Sequence, residues 1–514
     1  MGNVYRPITR QIGHRFQRVG IMYGLSVATV IVLLSVAQAS RAAVINVIDV
    51  IPNSDGSEAF QNSEPSLGVN PLNPLQMIAG SFGNGTPYFK SVDGGTIWSD
   101  YGALSTNDKS IAWRQDGVAA LTSTLQVLTT NPNGSLRTSQ IQTFSGTIGA
   151  SNFGTAINTL NPGQALDQPW IRTGPSGQTY EVYNNLSNTG GRSATMRVSS
   201  DNGATFASPI TLETVNPAGG QDAPSVRSAV NGSTVYAVFT RWGTFSSATG
   251  GDIFSNSQVV VVKSTNSGAS FSAGTTAATA TGYFSTTNNT PLTLGQERTS
   301  SDVAIAVDPN NANHVLVAYG DRTGAGLLQL KVVESTDGGT TWNQKFTTSS
   351  AVRSSLPALS IAANGTIGLL YASYDPNTIQ FSQHLLTTSN DFATTDDSLL
   401  GTETNATPII QFNPYIGDFY DLTSVGDVFY GIFSASNFDN GNPLTGALFP
   451  DVTFQRDFVG IPGTSSFELV NLAGNPVGFS IDPFFFSFDV PEPSTIVLLG
   501  TMLLGLAALR RRRL

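Results

Sequence analysis

Ser335-Thr336-Asp337-Gly338-Gly339-Thr340-Thr341-Trp342 is a turn that carries its own scaffolding. The aspartate accepts backbone N–H bonds, glycine supplies a positive φ, serine and threonine brace the loop, and the aromatic ring packs beneath it. The pattern returns at Ser91-Val92-Asp93-Gly94-Gly95-Thr96-Ile97-Trp98, at Ser199-Ser200-Asp201-Asn202-Gly203-Ala204-Thr205-Phe206 and at Ser264-Thr265-Asn266-Ser267-Gly268-Ala269-Ser270-Phe271. Thr388-Ser389-Asn390-Asp391-Phe392 reads as a degraded fifth copy. Since the residues of each copy satisfy one another, they predict a recurring structural turn and not a substrate contact.

Around these turns a second pattern recurs: an apolar strand, a Gly, Pro or Asn turn, and another apolar strand. The seven instances are 65–82, 111–128, 169–183, 224–239, 303–319, 357–374 and 414–433, turning at pairs such as Asp116-Gly117, Asn231-Gly232 and Asn364-Gly365. Repetition at about 50–60 residues, with several short strands per unit, predicts an all-β propeller of six or seven blades. Seven is the direct count; six follows if the first or last hairpin belongs to a closing segment. Closure is expected between 44–50 and strands around 467–488, which removes free sheet edges. Phe484-Phe485-Phe486-Ser487-Phe488 is too apolar to stay exposed and is predicted to bury as the last strand.

The turns match the Asp-box, S-x-D-x-G-x-T-W, and with the hairpins residues 60–440 resemble the sialidase-like, BNR-repeat superfamily. Pro414-Tyr415-Ile416-Gly417-Asp418-Phe419-Tyr420 is similar to the "IGDY" strand opening of secreted bacterial members. The resemblance implies a sialidase-like propeller across 43–489; it does not imply sialidase activity. That family clamps a sugar carboxylate with three arginines, the first in Arg-Ile-Pro, and no Arg-Ile-Pro occurs in this chain.

Residues just before each innermost strand crowd the mouth of a propeller channel, and here they are repeatedly acidic: Glu64, Asp108, Asp167, Asp222, Asp302 and Asp418. Such a ring permits three uses. Paired carboxylates, drawn from Asp167, Asp222, Asp302 and Asp418, could cleave a glycosidic bond; several oxygens could hold a hard cation such as Ca²⁺; or each acid simply caps its own strand. No cofactor and no dedicated metal site are expected. For binding a glycan, Tyr319, Asp321 and Arg322 leave one strand end together, and Tyr420 falls beside an inner strand.

The chain has no cysteine and only three histidines, His14, His314 and His384. Disulfides and thiol chemistry are excluded, and a Ser-His-Asp relay or histidine metal centre has almost nothing to be built from.

Both ends read as processing signals. Residues 1–42 carry Arg6, Arg10, Arg15 and Arg18 without an acid, then an apolar run and small residues at Ala37-Gln38-Ala39, which reads as an export signal helix cut by signal peptidase. Residues 490–514 hold Pro491-Glu492-Pro493, an apolar stretch 495–509, and Arg510, Arg511, Arg512 and Arg513. Fifteen apolar residues span about 22 Å as a helix, a tight fit to the inner membrane, and the arginines hold their end on the cytoplasmic side. This order resembles the PEP-CTERM signal of Gram-negative bacteria. It implies cleavage near Pro-Glu-Pro by an exosortase, then release or surface attachment. Removing both ends leaves 16 basic against 34 acidic residues, a net charge of −18. So acidic a body repels nucleic acid and anionic lipid. The sequence as a whole predicts an exported protein that binds polysaccharide or protein in the envelope or biofilm matrix, with glycoside hydrolysis as the alternative.

Overall fold

The computed structural model describes residues 45–490 except 55–61, 84, 131–135, 187–191, 216–224, 249–250, 286–302, 324–326, 376, 379, 405–415, 438–451, 464–466 and 479. Residues Ile45–Phe488 form one compact unit; the other unit, Met1–Val44 with Asp489–Leu514, falls almost wholly outside the described residues, as do the expected signal helix and membrane span. Among the described residues no helix is long and apolar enough to cross a membrane.

Among the described residues seven sheets make a seven-bladed β-propeller, with antiparallel pairing except where Val47–Asp49 runs parallel to Val452–Thr453. Their innermost strands are Ser66–Val69, Lys109–Trp113, Leu166–Thr173, Val226–Asn231, Val303–Asp308, Arg353–Ile361 and Asp421–Val425. Each touches the next, and the seventh touches the first. All seven hairpins read from the sequence open a blade. They are local structures, in which turn chemistry fixes the register of two adjoining apolar strands. The fourth blade departs from a simple meander: Thr244–Ala248 and Thr275–Ser285 both pair with the long strand Gly251–Ser264.

A ring of sheets must join its last blade to its first. Here the seventh blade takes Asp421–Val425 and Val428–Ser436, then the late strand Ile481–Asp489, then the N-terminal strand Val47–Asp49. Val47 lies opposite Phe486, Ile48 opposite Phe485 and Asp49 opposite Phe484, so the two ends of the folded body share one sheet. The three phenylalanines are buried, each worth about 1.5–3 kcal/mol of transfer from water. Phe485 meets Trp98 of the first blade edge to face at 5.3 Å. Gly95 is required there: its φ is +90°, and a Cβ would come within 2.1 Å of the Phe485 ring.

Beneath this seam lies a buried charge cluster. Arg456 reaches Asp49 at 2.7 Å and also bonds Asp482, and all three side chains are fully buried. Burial pushes the Asp49 carboxyl up to about 7, with Arg456 opposing and Asp482 adding to the shift.

The repeated turns close as their sequence implies. In the copy at 335–342, Ser335 Oγ donates to Asp337 Oδ1 at 2.8 Å and accepts from Gly339 N at 2.8 Å. Asp337 Oδ1 also accepts from Thr340 N at 3.0 Å and Thr341 N at 2.9 Å, and the Trp342 indole donates to Gly339 O at 3.1 Å. Bonds from the Thr341 backbone and side chain, with that from Ser335, hold the Asp337 carboxyl down at about 2. Asn266 does the same work in its copy, accepting from Ser264 Oγ at 2.8 Å and Ser270 N at 3.0 Å. The degraded copy also forms, Thr388 and Asn390 taking the serine and aspartate roles, while Asp391 and Phe392 adopt φ of 62° and 64°.

Two stability predictions follow from these bonds. Ser335→Ala removes the acceptor of a buried N–H and should cost about 1–3 kcal/mol in denaturant unfolding, whereas Asp337→Asn, which the Asn266 copy already tolerates, should cost far less at neutral pH. For Asp49 the folded pKa of about 7 lies above the ordinary 3.8, so the folded state binds this proton more tightly than the unfolded chain. Its contribution is therefore complete at low pH and lost as pH rises through about 7. Asp49→Asn should flatten the fall in stability measured between about pH 4 and about pH 7.

Candidate functional site

The inner strands enclose a cavity of about 410 Å³. Small residues, Gly68, Ala112, Ala229 and Ala306, are part of its lining, and Arg172 and Asp421 are the charged groups on its wall. Toward the starts of the strands it meets a narrow recess shared by Trp170, Arg172, Arg227, Tyr420 and Asp421.

Side chains on the inner strands link one blade to the next. Ile111 N donates to Ser66 Oγ at 2.9 Å and Ile171 N to Ser110 Oγ at 2.7 Å. At the seam the acceptor is Asp421, whose Oδ2 takes Ser66 Oγ at 2.9 Å and Leu67 N at 3.2 Å, leaving Oδ1 to Arg172 Nη2 at 3.3 Å. Arg172 stacks on the Trp170 ring at 4.6 Å and Arg227 on the same ring at 4.2 Å. Phe419 meets Trp170 edge to face at 5.4 Å. The result is two guanidinium groups fixed against one indole, with Arg172 still partly exposed to the cavity.

The mouth itself is built from strained backbone. Glu64, Gln168 and Leu356 adopt φ of 51°, 48° and 56°, and each precedes a proline, Pro65, Pro169 or Pro357. A left-handed residue with a Cβ costs about 1–2 kcal/mol, and side-chain bonds hold these turns in place. Gln168 accepts from Ser225 Oγ at 2.8 Å and donates to Asp418 Oδ2 at 3.2 Å, tying the third blade to the fourth and seventh. Gly417 packs so tightly on Glu64 that a Cβ would sit 2.6 Å from the glutamate Cγ. Lys109 is fully buried and donates to the Glu64 carbonyl. Burial draws its pKa down to about 8 against the opposing pull of Glu64 and Asp108.

The acids expected to ring the mouth are placed as follows. Asp167 Oδ1 accepts from Gln168 N at 3.0 Å and Asp418 accepts from the Gln168 side chain, so these two meet at one residue. Asp222 and Asp302 lie outside the described residues. Tyr420 is buried beside the recess and donates to Ser434 O at 3.3 Å. Tyr319 and Asp321 lie away from the channel wall, on the second strand of the fifth blade. Tyr319 is packed between the fourth and fifth blades, where burial pushes its hydroxyl up to about 12. Asp321 accepts from Thr281 N at 2.8 Å and pairs with Lys331 at 2.6 Å. Arg322 follows on the same strand. As for metals, His314, Glu334 and Asp391 approach one another within 4.8 Å. Lys345 sits among them, 2.7 Å from Glu334 and 2.5 Å from Asp391, and supplies the positive charge there.

Asp421, Arg172 and Arg227 went unread as a group. A signal exists: Asp167-Gln168-Pro169-Trp170-Ile171-Arg172 and Asp222-Ala223-Pro224-Ser225-Val226-Arg227 share one spacing, which sets both arginines at the same height on adjacent inner strands.

Residues 489–513 match the sequence model of the PEP-CTERM protein-sorting motif. The chain carries that sorting signal. No curated protein sequence matches it. Solved structures similar to this chain include a polysaccharide lyase of family PL25, an ulvan lyase, at 10% identity over 73% of this chain and 92% of the other, with a TM-score of 0.45. An α-L-arabinofuranosidase from Fusarium graminearum is similar at 10% identity, covering 69% and 96%, with a TM-score of 0.41. A Hadza microbial sialidase is similar at 14% identity, covering 62% and 64%, with a TM-score of 0.36.

Asp421 serves both seam and channel. Asp421→Ala should therefore cost about 1.5–3 kcal/mol in equilibrium unfolding, because Leu67 N and Arg172 lose a charged partner.

Proposed function

We propose that this PEP-CTERM chain is exported, processed by an exosortase and displayed at the cell surface or released, where its sialidase-like, Asp-box propeller binds a polysaccharide at the channel mouth without cleaving it. Export rests on the sorting motif at 489–513. The binding reading rests on one observation above all: Arg172 and Arg227 converge on Trp170 in the narrow recess, and Arg172 also lines the neighbouring 410 Å³ cavity. That volume falls within the range of about 300–1,000 Å³ usual for small-ligand clefts. Guanidinium groups held by stacking present N–H donors at little entropic cost, and sugar hydroxyl or carboxylate oxygens are the acceptors they suit. Asp167, Asp418 and Asp421 are each committed to hydrogen bonds, which suits holding a ligand better than proton transfer.

Glycoside hydrolysis is the alternative reading, favoured by the meeting of Asp167 and Asp418 at Gln168. Titration of the full chain with neutral and uronate-containing oligosaccharides separates the two. Binding should weaken about tenfold or more in Arg172→Ala, the worth of one charge-assisted hydrogen bond. Release of reducing ends, abolished by Asp167→Asn or Asp418→Asn, would establish hydrolysis instead.

A further inference from the structure

Away from the channel, the sixth blade brings a serine, a histidine and an aspartate into line. Its last three strands are Ile367–Asp375, Gln380–Thr388 and Asp396–Thr404. Ser373 and Tyr371 are two residues apart on the first of these and so share a face. His384 lies directly opposite Tyr371 on the next strand and therefore points to that face too. Ser373 Oγ is 2.9 Å from His384 Nε2, and His384 Nδ1 is 3.3 Å from Asp397 Oδ1.

The Asp397 carboxylate beside Nδ1 favours the tautomer that carries its proton there, which leaves Nε2 to accept from Ser373. A serine hydroxyl that donates to Nε2 requires the ring proton on Nδ1, facing the carboxylate. Tyr371 secures both partners: its ring stacks on the imidazole at 4.8 Å and 12°, and its hydroxyl donates to Asp397 Oδ2 at 2.8 Å. The Asp397 carboxyl, although burial pushes it up, is held below its ordinary value by the bonds from His384 and Tyr371.

A row of hydroxyls crosses the same face. Ser354 lies opposite Ser373 on one side and Ser382 on the other, and Ser382 bonds Thr402 at 3.1 Å. Ser354 Oγ is fully buried and has no hydrogen-bond partner among the described residues. A buried hydroxyl without a partner is costly, and one beside a nucleophile is a donor in waiting for an oxyanion. Ser373 keeps only 6% of its surface, while the His384 side chain is 19% exposed. A substrate of the relay must therefore enter from the His384 side and be small at its serine end.

We propose that Ser373, His384 and Asp397 form a nucleophilic relay that accepts short acyl groups from esters. Ser373 Oγ bonds to the ester carbonyl carbon as its proton passes to His384 Nε2. The carbonyl electron pair moves onto oxygen, where Ser354 donates. Collapse breaks the bond to the alcohol oxygen, which leaves with the proton from Nε2. Water then attacks the acyl-serine by the same path, returning free serine and a carboxylic acid. Asp397 is a positioning residue, acting through His384. This activity is separate from the channel and does not depend on glycan binding.

The test uses the full chain with p-nitrophenyl acetate and, in parallel, an organophosphonate that labels activated serines. Nitrophenolate should be released, and peptide mass mapping should place both the acetyl group and the phosphonate on Ser373. Ser373→Ala should abolish labelling with the melting temperature retained. His384→Gln should slow it by about 10²–10⁴-fold, and Asp397→Asn should displace the pH–rate profile. The proposal is overturned if Ser373 in the unaltered chain takes neither label, if Ser373→Ala hydrolyses the ester at the original rate, or if His384→Gln labels as fast as the parent.

Discussion

Everything in this fold depends on one junction, the pairing of Val47–Asp49 with Ile481–Asp489. A β-sheet edge left open in a ring exposes unsatisfied N–H and C=O groups along its length, and here the first strand of the folded body is spent on covering the last such edge. The cost is a strand contributed by residues more than 400 positions away. Such a pairing carries a large closure entropy, so something other than backbone bonding must hold it. That something is the phenylalanine run, which packs on both faces of the strand, together with the buried Arg456, Asp49 and Asp482. A buried arginine between two carboxylates is weak as a source of net stability, because desolvation offsets the attraction. Its value lies in register: shifting the strand by one residue would turn Asp49 away and leave the arginine unmatched.

The same logic runs inward. Ser66, Ser110 and Asp421 each accept the backbone N–H of the following blade, so the innermost strands are stitched by side chains where no sheet hydrogen bond can reach. At the seam the stitch is a carboxylate and not a hydroxyl, and a carboxylate has capacity left over. Arg172 uses it. The charge that lines the channel is in this way a by-product of closing the ring, and the recess at Trp170 inherits its geometry from the seam.

Local structure was legible in the sequence. Hairpins at Asp116-Gly117 or Asn364-Gly365 and the self-bonded turn at 335–342 involve residues within a few positions of one another, and their chemistry names their shape. The seven blades followed, as did the burial of 484–488. Contacts between distant residues were not legible. Nothing adjacent to Arg456 announces Asp49, and Asp421 looks like any strand residue until Ser66 and Arg172 arrive beside it. Tyr319, Asp321 and Arg322 are adjacent in the sequence, but the pairing of Asp321 with Lys331 and the packing of Tyr319 between blades come from strands that the sequence does not name. Histidine scarcity counts residues without placing them: two neighbouring strands bring Ser373 and Asp397 to the two nitrogens of His384.

The closing blade also determines how the protein answers a pull. The sorting motif begins at residue 489, where the strand Ile481–Asp489 ends. Tension applied through that end runs along the axis of a strand with neighbours on both sides, Val428–Ser436 and Val47–Asp49. Its hydrogen bonds lie across the direction of force and must yield in shear, many at once, instead of opening one after another like a zipper. Were the chain held by that end, the pull would fall on a strand that is paired along both edges.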